Sequence, residues 1–184
     1  MLHESVSARY ADALFQAAGD TGKPDEIQKD LRIAVDLLSS NRELETALKS
    51  PAVPNEVKKN IIIRVISGRT GNEVRNFLLV MADRGRLSYL KAVLEEFDSL
   101  VRESKGILLA HVETAVPIDD GMKKKLAQSL AEWKKKPVQL VVEVNPDILG
   151  GVIVRIGDHM VDGSLNGMLR EIDQNFQKTA AYIR

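Results

Sequence analysis

Three polar residues near the C-terminus are the first candidates for chemistry. Asp158, His159 and Asp162 lie close together in the sequence, and carboxylates beside an imidazole suit general acid–base catalysis or metal binding. The surrounding pattern instead predicts a β-hairpin with Gly157-Asp158 as its two-residue turn. Because neighbouring residues of a strand point to opposite faces, the three side chains are expected to diverge. We therefore predict no catalytic site and no metal site here.

A pair of glycines precedes the same hairpin. Gly150 and Gly151 could belong to a phosphate-binding loop, or they could meet a need for positive φ or for a close approach of two backbones. The sequence has no Gly-x-x-x-x-Gly-Lys-Ser/Thr run, and no Gly-x-Gly-x-x-Gly opens a helix after a strand. The structural role is therefore predicted, with no bound nucleotide and no other cofactor.

Composition excludes several further classes of function. Lys plus Arg total 26 and Asp plus Glu total 26, and the balance holds separately in residues 1–105 and 106–184. Nucleic-acid-binding proteins usually carry a basic surplus, so no nucleic-acid partner is expected. The absence of cysteine excludes disulfides and thiolate metal sites. No apolar run approaches the roughly 20 residues that span a bilayer, so any membrane association is expected to be peripheral.

Apolar residues at helical spacing run through the first 105 residues. They predict six helices with short connections, which together make a compact bundle. Gly22 and Pro24 are expected to end the first helix, and Asn41 to cap the third. The six helices are centred on residues 10–18, 27–38, 44–48, 57–65, 74–81 and 90–101.

The hydrophobic period changes after Gly106. Strands are predicted at residues 107–116, 138–144, 152–156 and 159–162, the last two forming the hairpin. Between the first two strands lies a helix with one apolar face, and Ser164 is expected to cap a final helix. The fold class is therefore α+β, with an N-terminal six-helix bundle at 1–105 and a small C-terminal α/β domain at 106–184. The predicted apolar face comprises Met122, Leu126, Leu130 and Trp133.

Three stretches of the sequence carry a family likeness. They are Ala8-Arg9-Tyr10-Ala11-Asp12-Ala13-Leu14-Phe15, Met81-Ala82-Asp83-Arg84-Gly85-Arg86-Leu87, and the glycine-rich hairpin from Gly150 to Asp158 with its continuation Asp162-Gly163-Ser164. In order and spacing they resemble the δ subunit of bacterial and chloroplast ATP synthases, whose mitochondrial relative is the oligomycin-sensitivity-conferring protein. The resemblance covers nearly the whole chain.

The resemblance implies a non-catalytic stator subunit that resists rotor torque. The N-terminal bundle would receive the N-terminal helices of the α subunits, and the C-terminal part would bind the ends of the membrane-anchored b subunits. Contacts with β subunits are also implied, with one copy of the chain per complex. The implied location is the cytoplasmic side of a bacterial inner membrane, peripheral and held through partners. A thylakoid or mitochondrial inner membrane is the alternative.

The family's groove for a partner helix lies between its first and fifth helices. An amphipathic helix needs an apolar groove with room for close approach, and small alanines beside a tyrosine suit such a surface. The alternative is that the tyrosine and the valine of this set only extend the core. The groove residues implied by the resemblance are Tyr10, Ala13, Ala17, Asn76 and Val80.

Two features of the C-terminal part could serve the stalk. The apolar residues of the last helix could dock it on the sheet, extend a coiled coil with the stalk, or do both. The lysine runs 123–125 and 134–136 are either a solvated helix face or a contact for an acidic partner segment. The tentative stalk-binding residues are Leu165, Leu169, Ile172 and Phe176.

Three other functions compete with the stator interpretation. Helical bundles also serve as RNA-binding or antitermination modules, but the neutral charge disfavours them. A small enzyme built around Asp158 and His159 would need convergent polar groups that the sequence does not supply. An unrelated scaffolding protein is the third, and it would show no preference for ATP synthase subunits.

Overall fold

The computed structural model describes residues 2–169, with side chains described from residue 6 onward. The chain divides into two compact units between Ser104 and Lys105. The first is helical, and the second combines helix with a four-stranded sheet, so the mixed α+β class is confirmed.

The helices of the first unit begin and end where local chemistry predicts. Pro24 occupies the first turn of α2, followed by acidic residues that suit the positive end of the helix dipole. The Asn41 side chain accepts from the backbone N–H groups of Glu43 and Leu44, so the predicted cap of α3 is confirmed. A short 3-10 helix, Leu87–Tyr89, precedes α6. The α-helices are α1 (Leu2–Thr21), α2 (Pro24–Ser39), α3 (Arg42–Lys49), α4 (Asn55–Ile66), α5 (Asn72–Asp83) and α6 (Leu90–Ser104).

One continuous aliphatic core joins these helices. Leu31, Ile62, Leu78 and Val93 from four of them are fully buried, and Phe97 is the largest buried side chain. Helical spacing brings one apolar stripe from each helix to this core. The residues that pack α1 and α5 into the core therefore differ from the residues that these two helices expose to solvent.

A polar contact also ties α2 to α6. Asp98 of α6 is 8% exposed, and its carboxylate accepts hydrogen bonds from Gln28 and Arg32 of α2. The Gln28 Nε2 to Asp98 Oδ1 distance is 2.7 Å. A buried carboxylate needs such donors because removal from water penalises its charge.

The second unit is a sheet with the strand order β2-β1-β3-β4. β1 and β2 run parallel, from Leu108 opposite Val138 to Thr114 opposite Val144, and α7 connects them. β3 pairs antiparallel with β1 and with β4. The predicted bounds of β2, β3 and β4 are confirmed, whereas β1 is shorter than predicted. The elements are β1 (Leu108–Thr114), α7 (Asp120–Lys134), β2 (Val138–Val144), β3 (Val152–Ile156) and β4 (His159–Asp162).

The apolar face of α7 covers the sheet only at its centre. Leu130 is buried and Leu126 is half-buried against the sheet, but Met122 is 56% exposed and Trp133 is 52% exposed. Met122 and Trp133 stand near the two ends of the helix. Leu126 and Leu130 therefore contact the sheet, whereas the two ends of the predicted apolar face remain exposed.

Candidate partner-binding surfaces

An aromatic contact connects α1 with α5. The rings of Tyr10 and Phe77 meet edge to face, with centroids 6.2 Å apart and planes at 74°. Both residues are half-buried and pack against the helical core. Edge-to-face geometry is a favourable arrangement for aromatic pairs. Tyr10 thus links the two helices that were predicted to flank a groove.

The other four predicted groove residues are exposed on the same two helices. Ala13 and Ala17 face solvent on α1, and Asn76 faces solvent on α5. Val80, one turn after Asn76, is 52% exposed. Val80 is therefore not an extension of the core, whereas Tyr10 packs on the edge of the core. Together the two helices offer small and apolar side chains to solvent.

Polar side chains of α4 hold the C-terminal end of α5. The Lys59 ammonium of α4 lies 2.8 Å from a carboxylate oxygen of Asp83, at the end of α5, and 2.6 Å from Glu56. These bonds, from Asp83 first and then Glu56, raise the pKa of Lys59 above its ordinary value. Asn55 also donates to the backbone carbonyl of Asp83. The exposed residues Asn76 and Val80 therefore lie on a helix whose end is held in place by α4.

Two arginines extend this surface beyond the residues that were predicted. A depression of about 200 Å³ beside α1 is lined by Val6, Arg9, Tyr10 and Arg86. The guanidinium of Arg86 also lies 5.7 Å from the centre of the Tyr89 ring, within cation–π range. Sequence reasoning did not select these arginines as site residues. The available signal was their place in two of the stretches that carry the family resemblance.

The glycine pair brings two backbone segments into close approach. Gly151 has φ of +84°, and a Cβ there would lie 2.1 Å from the carbonyl oxygen of Gly163. Backbone hydrogen bonds run from Gly163 N–H to Val152 O at 2.9 Å and from Leu165 N–H to Gly150 O at 3.0 Å. The close-approach interpretation of Gly151 is therefore confirmed. Gly151 thus lets the turn before β3 pack against residues 163–165, where the chain leaves β4 and enters its next helix.

Residues 165–169 are helical, and the predicted cap is present. The Ser164 hydroxyl oxygen accepts from the backbone N–H of Gly167 at 2.9 Å. Leu165 is 50% exposed and Leu169 is 59% exposed. The other two tentative stalk-binding residues, Ile172 and Phe176, lie outside the described residues.

The candidate acid–base residues do not converge. Asp162 accepts a hydrogen bond from the backbone N–H of Ser164, and Asp158 is exposed in the hairpin turn. His159 packs edge to face on Trp133, with ring centroids 6.3 Å apart. Across residues 2–169, no cluster of three or more His, Asp or Glu side chains is placed to hold a metal ion.

Comparison with known proteins identifies the family. The model of the ATP synthase delta (OSCP) subunit family matches residues 6–176. The delta subunit of Desulforudis audaxviator (strain MP104C) is 35% identical over 97% of this chain and 98% of its own length. The delta subunit of Prochlorococcus marinus (strain MIT 9215) is 32% identical over 96% of this chain and 99% of its own length.

Solved structures agree in fold. A chain in the cryo-EM structure of the Toxoplasma gondii mitochondrial ATP synthase hexamer matches with a TM-score of 0.70 at 20% identity, covering 93% of this chain and 97% of that one. A chain in a Polytomella F-ATP synthase structure matches with a TM-score of 0.50 at 28% identity, covering 54% of this chain and 88% of that one.

Among the residues that the structure describes, no helix has the length and apolar character needed to cross a membrane. The family match spans most of the sequence, and relatives of more than 30% identity align with it over nearly their whole length. The chain therefore belongs to the ATP synthase delta (OSCP) subunit family.

Proposed function

We propose that the chain is the non-catalytic stator subunit of a rotary ATP synthase. It links the catalytic head to the membrane-anchored b stalk and holds the head against the torque of the rotor, so that proton flow drives ATP synthesis. The observation that carries this proposal is the family match over residues 6–176. One copy acts per complex, peripheral to the membrane and held there by partners.

The α1–α5 surface is assigned to the N-terminal helices of the α subunits. The rings of Tyr10 and Phe77 are in contact between the two helices. Ala13 is exposed on α1, and Val80 is exposed on α5. Small side chains on one wall let a partner backbone approach closely, and an exposed valine on the other offers apolar area for its side chains. The six helices α1–α6 act as the bundle that presents this groove.

The second unit is assigned to the ends of the b subunits. Leu165 and Leu169 present exposed apolar area next to the glycine turn. Backbone hydrogen bonds hold this turn to the start of the helical segment 165–169. A segment fixed in this way suits a protein that must transmit torque. Contacts with β subunits complete the attachment to the head. The membrane is a bacterial inner membrane on its cytoplasmic side, with thylakoid and mitochondrial inner membranes as the alternatives.

Calorimetric titration of the full chain with a synthetic peptide of the α subunit's N-terminal segment tests the groove. We expect saturable binding at one site, abolished by Ala13→Glu because a charged side chain would occupy the path of the partner helix. Gly19→Glu is the matched control, since Gly19 is exposed on the same helix and a Cβ there would meet nothing within 4 Å. Circular dichroism should show both variants folded.

Two results would contradict the groove assignment. The first is wild-type affinity in the folded Ala13→Glu variant, which would place the peptide elsewhere. The second is unfolding of that variant, which would show that Ala13 belongs to the core. If the wild-type chain does not bind the peptide even at high concentration, the α subunit is excluded as the partner of the helical unit.

A further inference from the structure

The second unit has a long strand at one edge of its sheet. In the order β2-β1-β3-β4, β2 has β1 on one side, and no strand within residues 2–169 pairs with its other side. β2 has seven residues, most of them valine, whereas β4 at the opposite edge has only four. A long edge strand rich in β-branched residues is a template for pairing with another strand.

Hydrogen bonds to β1 show which backbone groups of β2 point away from it. The Pro137 carbonyl oxygen accepts from the Leu108 N–H at 2.8 Å, and the Asn145 N–H donates to the Thr114 carbonyl oxygen at 2.8 Å. The N–H and C=O of one strand residue point to the same side, and this side alternates along the chain. The odd-numbered residues therefore face β1. The even-numbered residues 138, 140, 142 and 144 direct their N–H and C=O groups outward.

An antiparallel pairing of β2 with the β2 of a second copy uses all of these outward groups. When the two-fold axis passes through Val141, residue 138 stands opposite 144 and residue 140 stands opposite 142. Each outward residue thus meets an outward residue, and each such pair can exchange two hydrogen bonds. The interface is closed, because the same strand serves both copies.

The side chains on both faces match in this register. On the face toward α7, Leu140 meets Val142 of the second copy, and both residues already pack against the apolar core of the unit. On the opposite face, the exposed Gln139 meets the exposed Glu143 of the second copy, and Val141 meets its own equivalent. The Gln139 amide can donate to that carboxylate, and no like charges stand directly opposite each other within the strands.

Charge at the two ends of β2 favours the antiparallel direction. The lysine run 134–136 precedes the strand, and Asp147 follows it closely. Lys135, Lys136 and Asp147 are exposed. Antiparallel pairing brings the lysines of each copy toward Asp147 of the other copy, whereas parallel pairing would bring lysines beside lysines. Opposite charges across an interface favour the orientation that joins them.

We propose that the isolated chain forms a two-fold dimer in which the β2 strands of two copies pair antiparallel and join two four-stranded sheets into one. This goes beyond the proposed stator function, in which one copy acts per complex, because it describes the chain before it enters the complex. Pairing covers an edge on which Val141 is 43% exposed and Val144 is 44% exposed. An uncovered edge of this kind would allow uncontrolled association.

Sedimentation velocity of the full chain over a range of concentrations tests the dimer. We expect a reversible equilibrium whose dissociation constant shifts in opposite directions in two variants of one exposed residue. Gln139→Lys should tighten the dimer, because the lysine would face Glu143 of the second copy, and Gln139→Glu should weaken it, because two glutamates would face each other. The pair occurs twice in the dimer, so each shift should be about two- to thirtyfold. Circular dichroism should show both variants folded.

A proline variant and amide hydrogen exchange locate the pairing on β2. Proline lacks an N–H and is tolerated on an edge strand where that N–H points outward. Val144→Pro should therefore stay folded and lose the dimer. In the wild type, the amides of Leu140 and Val142 should exchange more slowly in the dimer than in the monomer. The amide of Val141 should be protected in both states, because it faces β1.

Four results would overturn the proposal. The first is a chain that stays monomeric up to millimolar concentration, and the second is a dimer whose strength moves in the same direction in both Gln139 variants. The third is a folded Val144→Pro variant that dimerises like the wild type. The fourth is slowed exchange in the dimer at β4 and not at β2. Any of these would leave the stator function standing, because binding of the α-subunit peptide is measured separately.

Discussion

Replacing Gly151 by alanine should unfold the second unit far more easily than replacing Gly157. Both glycines have positive φ, +84° and +56°, so alanine at either position strains the backbone by about 1 kcal/mol. They differ in the space around them. A Cβ at Gly157 meets nothing within 4 Å, whereas one at Gly151 would lie 2.1 Å from the Gly163 carbonyl oxygen and 3.0 Å from Ser164 Cα.

That clash involves backbone atoms, so it cannot be relieved by a side-chain rotation. The two segments must separate, which adds about 1–3 kcal/mol of overpacking. Separation also weakens the hydrogen bonds from Gly163 to Val152 and from Leu165 to Gly150, each contributing about 1 kcal/mol. We therefore expect Gly151→Ala to lower the free energy of unfolding of this unit by about 3–5 kcal/mol, against about 1 kcal/mol for Gly157→Ala.

Tryptophan fluorescence measures this effect in the intact chain. Trp133 is the single tryptophan of the sequence, and it lies at the end of α7, 3.9 Å from the Lys134 ammonium and edge to face with His159. Its emission therefore follows unfolding of the second unit and not of the helical unit. For a domain of this size, 1 kcal/mol corresponds to roughly 4–8 °C, so the control should lose a few degrees and Gly151→Ala well over ten.

Equal losses in the two variants would refute the reasoning. They would mean that positive φ is the whole requirement at Gly151 and that the backbones near Gly163 do not approach closely. A phosphate-dependent rise in the wild-type midpoint that Gly151→Ala removes would also contradict it, because it would return the glycine pair to the phosphate-binding interpretation.

Three other contacts give independent predictions. Asp98→Ala removes the acceptor of two hydrogen bonds between α2 and α6 and should destabilise the helical unit by about 2 kcal/mol in urea unfolding followed by circular dichroism. Hydrogen bonds from Lys49 and then Lys91 lower the pKa of Glu45, so its carboxyl carbon should titrate by NMR below the ordinary range of a glutamate. Because the folded pKa is depressed, this stabilisation is present above the unfolded pKa and is lost as pH falls through the folded pKa; a midpoint within or above the ordinary range would contradict it. Asp119→Ala removes the cap bond to the N-terminus of α7 and should destabilise the second unit by about 1 kcal/mol, read from tryptophan fluorescence; an unchanged midpoint would show that the cap is dispensable.

The elements with strong local signals could be predicted from sequence. Alternation of apolar residues placed β2 at its observed bounds, and the Gly157-Asp158 turn placed β4. Asn41 and Ser164 cap helices as expected. These features depend on residues within a few positions of one another, so their causes are visible in the sequence. The positive φ of Gly151 belongs to the same class, since the choice of glycine itself carries the signal.

Features set by distant partners could not be predicted in the same way. Met122 and Trp133 fit the apolar period of α7, but both remain exposed, because strands distant in sequence decide which turns of that helix are covered. Leu149, between β2 and β3, has a positive φ that carries no sequence signal, because leucine is an unfavourable residue for that conformation. For the α1–α5 surface, the resemblance supplied the pair of helices, and the contact between Tyr10 and Phe77 became visible only in the structure.

The central claim is that the chain couples the catalytic head to the stalk without taking part in catalysis. The direct test is add-back of the full chain to membranes that hold an ATP synthase depleted of this subunit, with proton-driven ATP synthesis and ATP hydrolysis by the isolated head measured in parallel. We predict that the wild-type chain restores synthesis, that Ala13→Glu fails to restore it, and that hydrolysis by the isolated head proceeds equally with or without the chain. Synthesis at the full rate in its absence, or hydrolysis by the isolated head that depends on it, would contradict the account.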